Sequence, residues 1–547
     1  MKLNKISLLI LAIIFFAAVF LRFYQVENIP AALTWDEVAW GYNSYSLGLD
    51  GKDEFGRFLP YDFLESFGDF KPPLYAYLGI IPIKLFGLTE FAVRFPSALF
   101  GVFTVILAYF LVKEIFYSSD RKEYYALFSS FLLAISPWHI NLSRAAFEAN
   151  VSQFFIILGV TMYLYAIRKN KWFLILSAIS FVVSLYTFNT ARIVAPLLVL
   201  LLSFIFIKKL WKNKKETVVS FIVGVLLIAP IITFLISPQA NLRFREVNIF
   251  TNPEVIEIAN QEIKNDNNSL VSKALHNRRV KYAVSFVSHY FDHFNPTFLF
   301  IKGDGNPKFS TQDVGQLYIW SLPFLVIGGL LIFRKREGKW WILPAWLLLA
   351  IIPAATARET PHALRIETTL PTFQILIGYG FISFAFYLKR KIKNVILFKV
   401  VILSILVILF CNVFYYLYGY YVHYSRDYSS QWQYGYKQAL KYTEENKKDY
   451  DEIYFTDKLG RPYIYYLFYT STLPEEFRKD SDIARDSFGF VNVKRVGKYN
   501  FTDNLDIEAK GKSTLYVNDP LNVPDEATIL KTINYLDGSP SLIIYTK

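Results

Sequence analysis

Two acidic residues, Asp36 and Glu37, follow the first apolar segment of this chain, and Lys71 stands further on in the run Lys71-Pro72-Pro73-Leu74. A carboxylate and an ammonium held at a bilayer edge lose hydration at a cost, so a chain keeps them there for binding or chemistry on something polar. Charged and imidazole groups recur between the later apolar segments: Arg94; His139, Arg144 and Glu148; Asn189 and Arg192; His289, Asp292 and His293; Arg358, Glu359, His362 and Arg365. Carboxylates among several cations suit a reaction in which an acceptor loses a proton and the substrate carries a phosphate.

Such groups need a scaffold, and composition says which kind. The chain has 547 residues, 54% hydrophobic, 18% aromatic and 19% charged, with a mean hydropathy of +0.29. That is too apolar for an ordinary soluble multidomain enzyme and reads as a polytopic membrane protein. Apolar runs of spanning length predict helices near 6–22, 95–112, 124–139, 150–167, 172–189, 193–207, 217–236, 316–333, 340–357, 366–388 and 399–419. The expected fold class is mainly α, with about 11 to 13 transmembrane helices.

The net charge of +13 would suit nucleic acid if it formed a patch. It does not: the N-terminus and alternate turns between the helices carry twenty-one Lys and Arg against five acidic residues, a surplus larger than that of the whole chain. The basicity is positive-inside patterning, which excludes a nucleic-acid partner and predicts a cytoplasmic N-terminus. The first loop (23–94), a large loop (237–315) and the C-terminal tail then lie outside, with the chain integral to the plasma (inner) membrane. Leu74 to Gly87 is apolar but short and contains Pro82 and Lys84, so it is expected to be an interfacial or re-entrant helix. The first apolar segment resembles a signal peptide, yet Arg22, Phe23 and Tyr24 follow it where small residues would mark cleavage, so it is read as an anchor. The single cysteine, Cys411, excludes an intrachain disulfide and a multi-thiolate metal site.

Beyond residue 420 the apolar runs shorten, which sets a membrane domain at 1–420 and an extracytoplasmic α/β domain at 421–547. In the latter, Gln431 to Asn446 and Pro462 to Tyr469 read as helices, and Glu452 to Thr456, Ser513 to Val517 and Ser541 to Tyr545 as strands.

Three ordered motifs make the first hundred residues specific: Thr34-Trp35-Asp36-Glu37, Lys71-Pro72-Pro73-Leu74, and Arg94-Phe95-Pro96-Ser97-Ala98-Leu99-Phe100-Gly101. Together they resemble the start of the GT-C glycosyltransferases of the protein-mannosyltransferase and aminoarabinose-transferase type. The resemblance implies a GT-C fold and transfer of a sugar from a polyprenyl-phosphate donor to an acceptor hydroxyl on the outer face, with inversion. By that analogy Asp36, with Glu37 beside it, supplies the catalytic base, and Lys71 holds the donor phosphate. Arg94, Arg144 and Arg365 are, by their charge, further candidates for phosphate contact. Glu148, Arg192, His289, Asp292, Arg358 and His362 are expected to line the cavity. The donor and membrane lipids are the implied partners, and a protein, lipid or glycan is the acceptor. In aminoarabinose transferases an acidic residue directly before the lysine helps bind zinc; here that place is Phe70, with Asp69 one step earlier. No metal or other cofactor is indicated.

Plainer readings stand beside these. Thr34 would cap a helix whose first turn holds Asp36 and Glu37, Lys71 would snorkel to headgroups, and Arg94 and Arg144 would anchor the outer interface. His289, Asp292 and His293 have a spacing that suits zinc but equally local hydrogen bonding. His362 and Arg365 would share a helix face. The competing functions are a flippase for a lipid-linked saccharide and a ligase or polymerase using a diphosphate donor.

Overall fold

The computed structural model describes residues 5–237, 240, 247–486, 490–503, 505 and 513–547. They form two compact units. The first comprises residues 1–22, 100–142 and 148–416, and the second 23–99, 143–147 and 417–547.

Every apolar segment expected to span is helical, over Lys5–Phe23, Glu90–Ile115, Lys122–Ala134, Glu148–Arg168, Phe173–Leu185, Ala191–Ile205, Lys214–Leu235, Leu322–Lys335, Ile342–Ala355, Thr372–Lys391 and Val395–Tyr418. Several boundaries differ from expectation by four to six residues, the helix sought over 366–388 beginning at Thr372 and that over 95–112 at Glu90 among them. The helix sought over 124–139 stops at Ala134 and a separate one covers Pro137–Arg144, with Pro137, which lacks an N–H, in its first turn. The helix sought over 316–333 begins only at Leu322, again with a proline in its first turn. Six helical stretches among the described residues are long and apolar enough to cross a membrane; four more apolar helices are shorter, Leu74–Phe86 among them. The most hydropathic window of the Val395–Asp427 stretch is only 6% buried, so its Leu, Val and Phe side chains form an outward apolar face that lipid covers better than water does.

In the first unit the Leu322–Lys335 and Thr372–Lys391 helices approach through glycines. A Cβ on Gly328 would stand 2.0 Å from the Leu376 carbonyl oxygen, and one on Gly380 2.0 Å from that of Phe324, so both positions must stay bare for the backbones to touch. Trp346, Tyr379, Phe116 and Tyr125 lie in the large buried cluster around them.

In the second unit the first loop and the tail form one body, whereas the sequence assigned them to separate domains. A hairpin of β1 (Leu64–Ser66) and β2 (Asp69–Lys71) is antiparallel. Phe67 and Gly68 turn it with φ of 60° and 80°, as a tight two-residue hairpin loop requires. The tail contributes β3 (Glu452–Phe455), β4 (Ser481–Arg485), β5 (Val491–Val496), β6 (Tyr499–Phe501), β7 (Thr514–Asn518), β8 (Thr528–Asn534) and β9 (Pro540–Thr546), in the order β4-β5-β6-β3-β7-β9-β8. The central strand β3 runs parallel to both neighbours, β6 and β7. The Trp35–Asp50 helix of the first loop packs on the Leu74–Phe86 and Pro462–Tyr469 helices. Tyr465 donates to the Leu33 carbonyl over 3.0 Å, and Arg478 pairs with Asp50 at 2.6 Å. A Cβ on Gly41 would lie 2.5 Å from the Phe468 ring, so this glycine lets the tail close onto the loop helix.

Candidate active site

The acidic pair is divided by the helix it opens. Thr34 caps the Trp35–Asp50 helix: its Oγ1 accepts from the Glu37 amide over 3.3 Å while its own N–H donates to Glu37 Oε2 over 2.9 Å. This reciprocal cap bends the Glu37 side chain back along the helix start. Glu37 Oε1 then accepts from Arg94 Nε and from the Ala146 amide, each over 2.9 Å. Neither Glu37 nor Arg94 reaches solvent. Successive helical residues point about 100° apart, so Asp36 faces elsewhere. Its side chain is 50% exposed and accepts from the Lys71 ammonium.

Lys71 is delivered by the last residue of β2, and the diproline after it starts the Leu74–Phe86 helix. Its ammonium lies 5.3 Å from the Trp40 ring centroid and 5.4 Å from that of Phe67, an aromatic setting that favours a cation with little water around it. A second carboxylate, which the sequence reading passed over, sits below. Glu54 is fully buried, accepts from Ser66 Oγ over 3.3 Å, and has its backbone N–H held by Asn43 Oδ1 at 2.9 Å. Burial pushes its carboxyl well above the usual carboxylate range, and Asp53 beside it adds to the shift. Only the spacing Asp53-Glu54 ahead of the hairpin hinted at it.

Two arginines expected at the donor phosphate have other partners. Arg94 donates to the carbonyls of Val26, Pro30 and Ala32 over 2.8, 2.9 and 2.6 Å besides holding Glu37. Arg144 donates to the Tyr24 and Ile29 carbonyls over 2.8 and 2.9 Å and lies over the Tyr421 ring at 5.0 Å. Both are completely buried. A guanidinium takes up to five acceptors in a fixed fork, and here the forks tie the loop between residues 24 and 37 in place. The anchoring seen for them fastens loops inside the second unit.

The other expected residues lie in the first unit, where His289 and Asp292 tie the segment 289–309 to the segment 357–365. His289 Nδ1 meets the Ala357 carbonyl at 2.8 Å, and Thr360 donates to Asp292 over 2.7 Å. Arg358 Nε donates to the Asn248 carbonyl over 3.0 Å. Arg365 bonds to the Glu359 carbonyl over 3.2 Å. His362 approaches Asp304 at 3.9 Å, but burial drives His362 well below its ordinary value and Asp304 up to about 6, so at neutral pH the imidazole is uncharged and no ion pair forms. Arg192 bonds to the Leu185 carbonyl over 3.2 Å, and Glu148 opens the Glu148–Arg168 helix. His139 lies 2.6 Å from Arg22 through Nδ1. Among the described residues no three His, Cys, Asp or Glu side chains stand close enough to hold a metal. With Phe70 rather than a carboxylate before Lys71, the zinc arrangement of aminoarabinose transferases does not fit this site.

Comparison with known proteins bears on the fold that carries these residues. Residues 70–236 match the model of the dolichyl-phosphate-mannose-protein mannosyltransferase family. The chain is 33% identical to an uncharacterized protein of Aquifex aeolicus over 127 residues, 23% of this chain and 25% of that protein. It is 32% identical over 125 residues to YkcB of Bacillus subtilis, provisionally described as a mannosyltransferase, with 23% of this chain and 16% of that protein covered. The chain thus spans no more than a quarter of the length of these relatives. Over nearly its whole length it shares the fold of ArnT from Cupriavidus metallidurans: TM-score 0.53 at 12% identity in the apo state, covering 98% of this chain and 97% of that one. Against the same protein bound to undecaprenyl phosphate the TM-score is 0.50 at 11% identity, with equal coverage. The resemblance read from the three motifs agrees with these matches: residues 70–236 fit the mannosyltransferase family model, and the chain as a whole shares the ArnT fold.

Proposed function

We propose that this chain is a membrane glycosyltransferase that moves a sugar from a polyprenyl-phosphate donor to an acceptor hydroxyl on the outer face of the membrane. The observation that carries the reading is the division of the acidic pair: Glu37 is sealed against Arg94, while Asp36 stays half exposed against Lys71. A sugar phosphoester already has a good leaving group, so the reaction asks for a base on the acceptor and a cation at the departing phosphate. Asp36 takes the acceptor proton as that oxygen attacks the anomeric carbon. The anomeric C–O bond breaks on the opposite side, its electrons pass to the phosphate, and the configuration inverts. Lys71 offsets the charge on the released polyprenyl phosphate. Glu37 and Arg94 position the helix start that presents Asp36. Undecaprenyl phosphate in the structure of ArnT, which shares this fold, supports an isoprenoid carrier.

The test uses purified protein with a polyprenyl-monophosphate sugar and its diphosphate counterpart. Release of polyprenyl phosphate from the first, with Lys71→Met raising the donor KM by at least about tenfold, supports the reading. Turnover confined to the diphosphate donor assigns the chain to the ligases or polymerases, and flux of intact lipid-linked saccharide without a product makes it a flippase.

A further inference from the structure

Three parallel strands, β6, β3 and β7, lie side by side in the tail sheet. Sheets of this kind bind ligands in the crevice outside the carboxyl ends of their strands. A cavity of about 330 Å³ occupies that place, lined by Asp457, Arg461, Tyr463, Asp486, Asn492 and Phe501 among others. Asp457 follows β3 and Asp503 follows β6.

The lining selects the ligand. Carboxyl and carboxamide groups accept hydroxyl hydrogens, and aromatic faces cover the C–H face of a sugar ring. An anion meets two carboxylates and one guanidinium that already donates to the Val491 carbonyl over 3.0 Å. A neutral, hydroxyl-bearing saccharide satisfies the whole wall.

Two side chains, Trp35 and Phe67, link residues of the cavity wall to the reacting pair. Gly460, with φ of 86°, faces Trp35 so closely that a Cβ on it would stand 2.9 Å from the indole, and Trp35 directly precedes Asp36. Arg461 follows in the left-handed region at φ 55°, a strained setting for a residue with a side chain and one that clusters at ligand sites. Phe67 joins the two places. Its ring receives Lys71 at 5.4 Å and Arg461 at 5.2 Å, Tyr463 meets it edge-on at 6.0 Å, and its carbonyl accepts from the Val491 amide over 3.0 Å.

We propose that this crevice is the acceptor subsite and that the acceptor is a glycan, whose neutral sugar residues lie between Asp486, Asn492 and Tyr463 and present a hydroxyl to Asp36. The proposal rests on the glycosyltransferase reading and names its acceptor class.

The experiment is saturation-transfer NMR on the full-length protein in detergent with maltotriose, cellotriose, mannotriose and chitotriose. Transfer to at least one sugar is expected in the wild type, with affinity falling about tenfold in Asn492→Ala and in Asp486→Asn, as the loss of one good hydrogen bond requires. Circular dichroism checks each variant, and either one that folds decides. No transfer from any of the four sugars, transfer unchanged in a folded variant, or stabilisation by calcium but by none of the sugars overturns the subsite. Saccharide binding without any glycosyl transfer leaves the subsite standing and removes the reaction instead.

Discussion

Glu37 and Arg94 form an ion pair from which water is excluded, with Arg94 Nε donating to Glu37 Oε1 over 2.9 Å and neither side chain exposed. Removing one partner leaves the other charge buried, which costs about 3–5 kcal/mol. Glu37→Gln and Arg94→Met are each expected to lower the thermal unfolding midpoint sharply. The double variant recovers part of the loss, because it leaves no lone charge. Unfolding curves in detergent check this, and an unchanged midpoint in Glu37→Gln contradicts the structural role.

Asp457 carries the tail's pH dependence. Burial and then the Asp503 carboxyl push it up to about 7, while Arg461 pulls the other way. An unfolded aspartate titrates near 3.9, so between about pH 4 and 7 the folded chain holds more proton than the unfolded one, and stability falls as pH rises through that window. Asp457→Asn removes the ionisation. Its unfolding midpoint is expected to match the wild type near pH 4 and to exceed it increasingly up to pH 7, as read by thermal scans across that range. Curves that stay parallel rule this out.

The loop charges predict an orientation. Alkaline phosphatase fused after Lys547 is expected to be active, and the same reporter fused after Lys212 or Lys391, both in basic turns, inactive. The reversed pattern places the active-site loop on the wrong side.

Much of this was legible in the sequence because hydrophobic length and charge are local signals. All eleven apolar segments are helices, and the strands read at Glu452, Ser513 and Ser541 stand within a residue or two of β3, β7 and β9. Misses arose where tertiary contacts decide. Strand β8 is almost wholly exposed and lacks an apolar face to reveal it. The union of the first loop with the tail rests on pairs such as Tyr465 with Leu33, 432 residues apart, which no window along the chain detects. In the site, Asp36 with Lys71 came from motif order. The division of labour between Asp36 and Glu37 did not, because it depends on the cap at Thr34 turning one carboxylate inward toward Arg94. Arg94 and Arg144 looked like phosphate ligands because a sequence shows their charge and hides the carbonyls that occupy them.

The most direct measurement is the single-turnover rate of sugar transfer by Asp36→Asn with saturating polyprenyl-phosphate donor, beside its donor affinity and unfolding midpoint. Loss of a general base is expected to slow the chemical step by about 10²–10⁴-fold while the fold remains intact. Transfer at the wild-type rate by a folded Asp36→Asn protein contradicts the account.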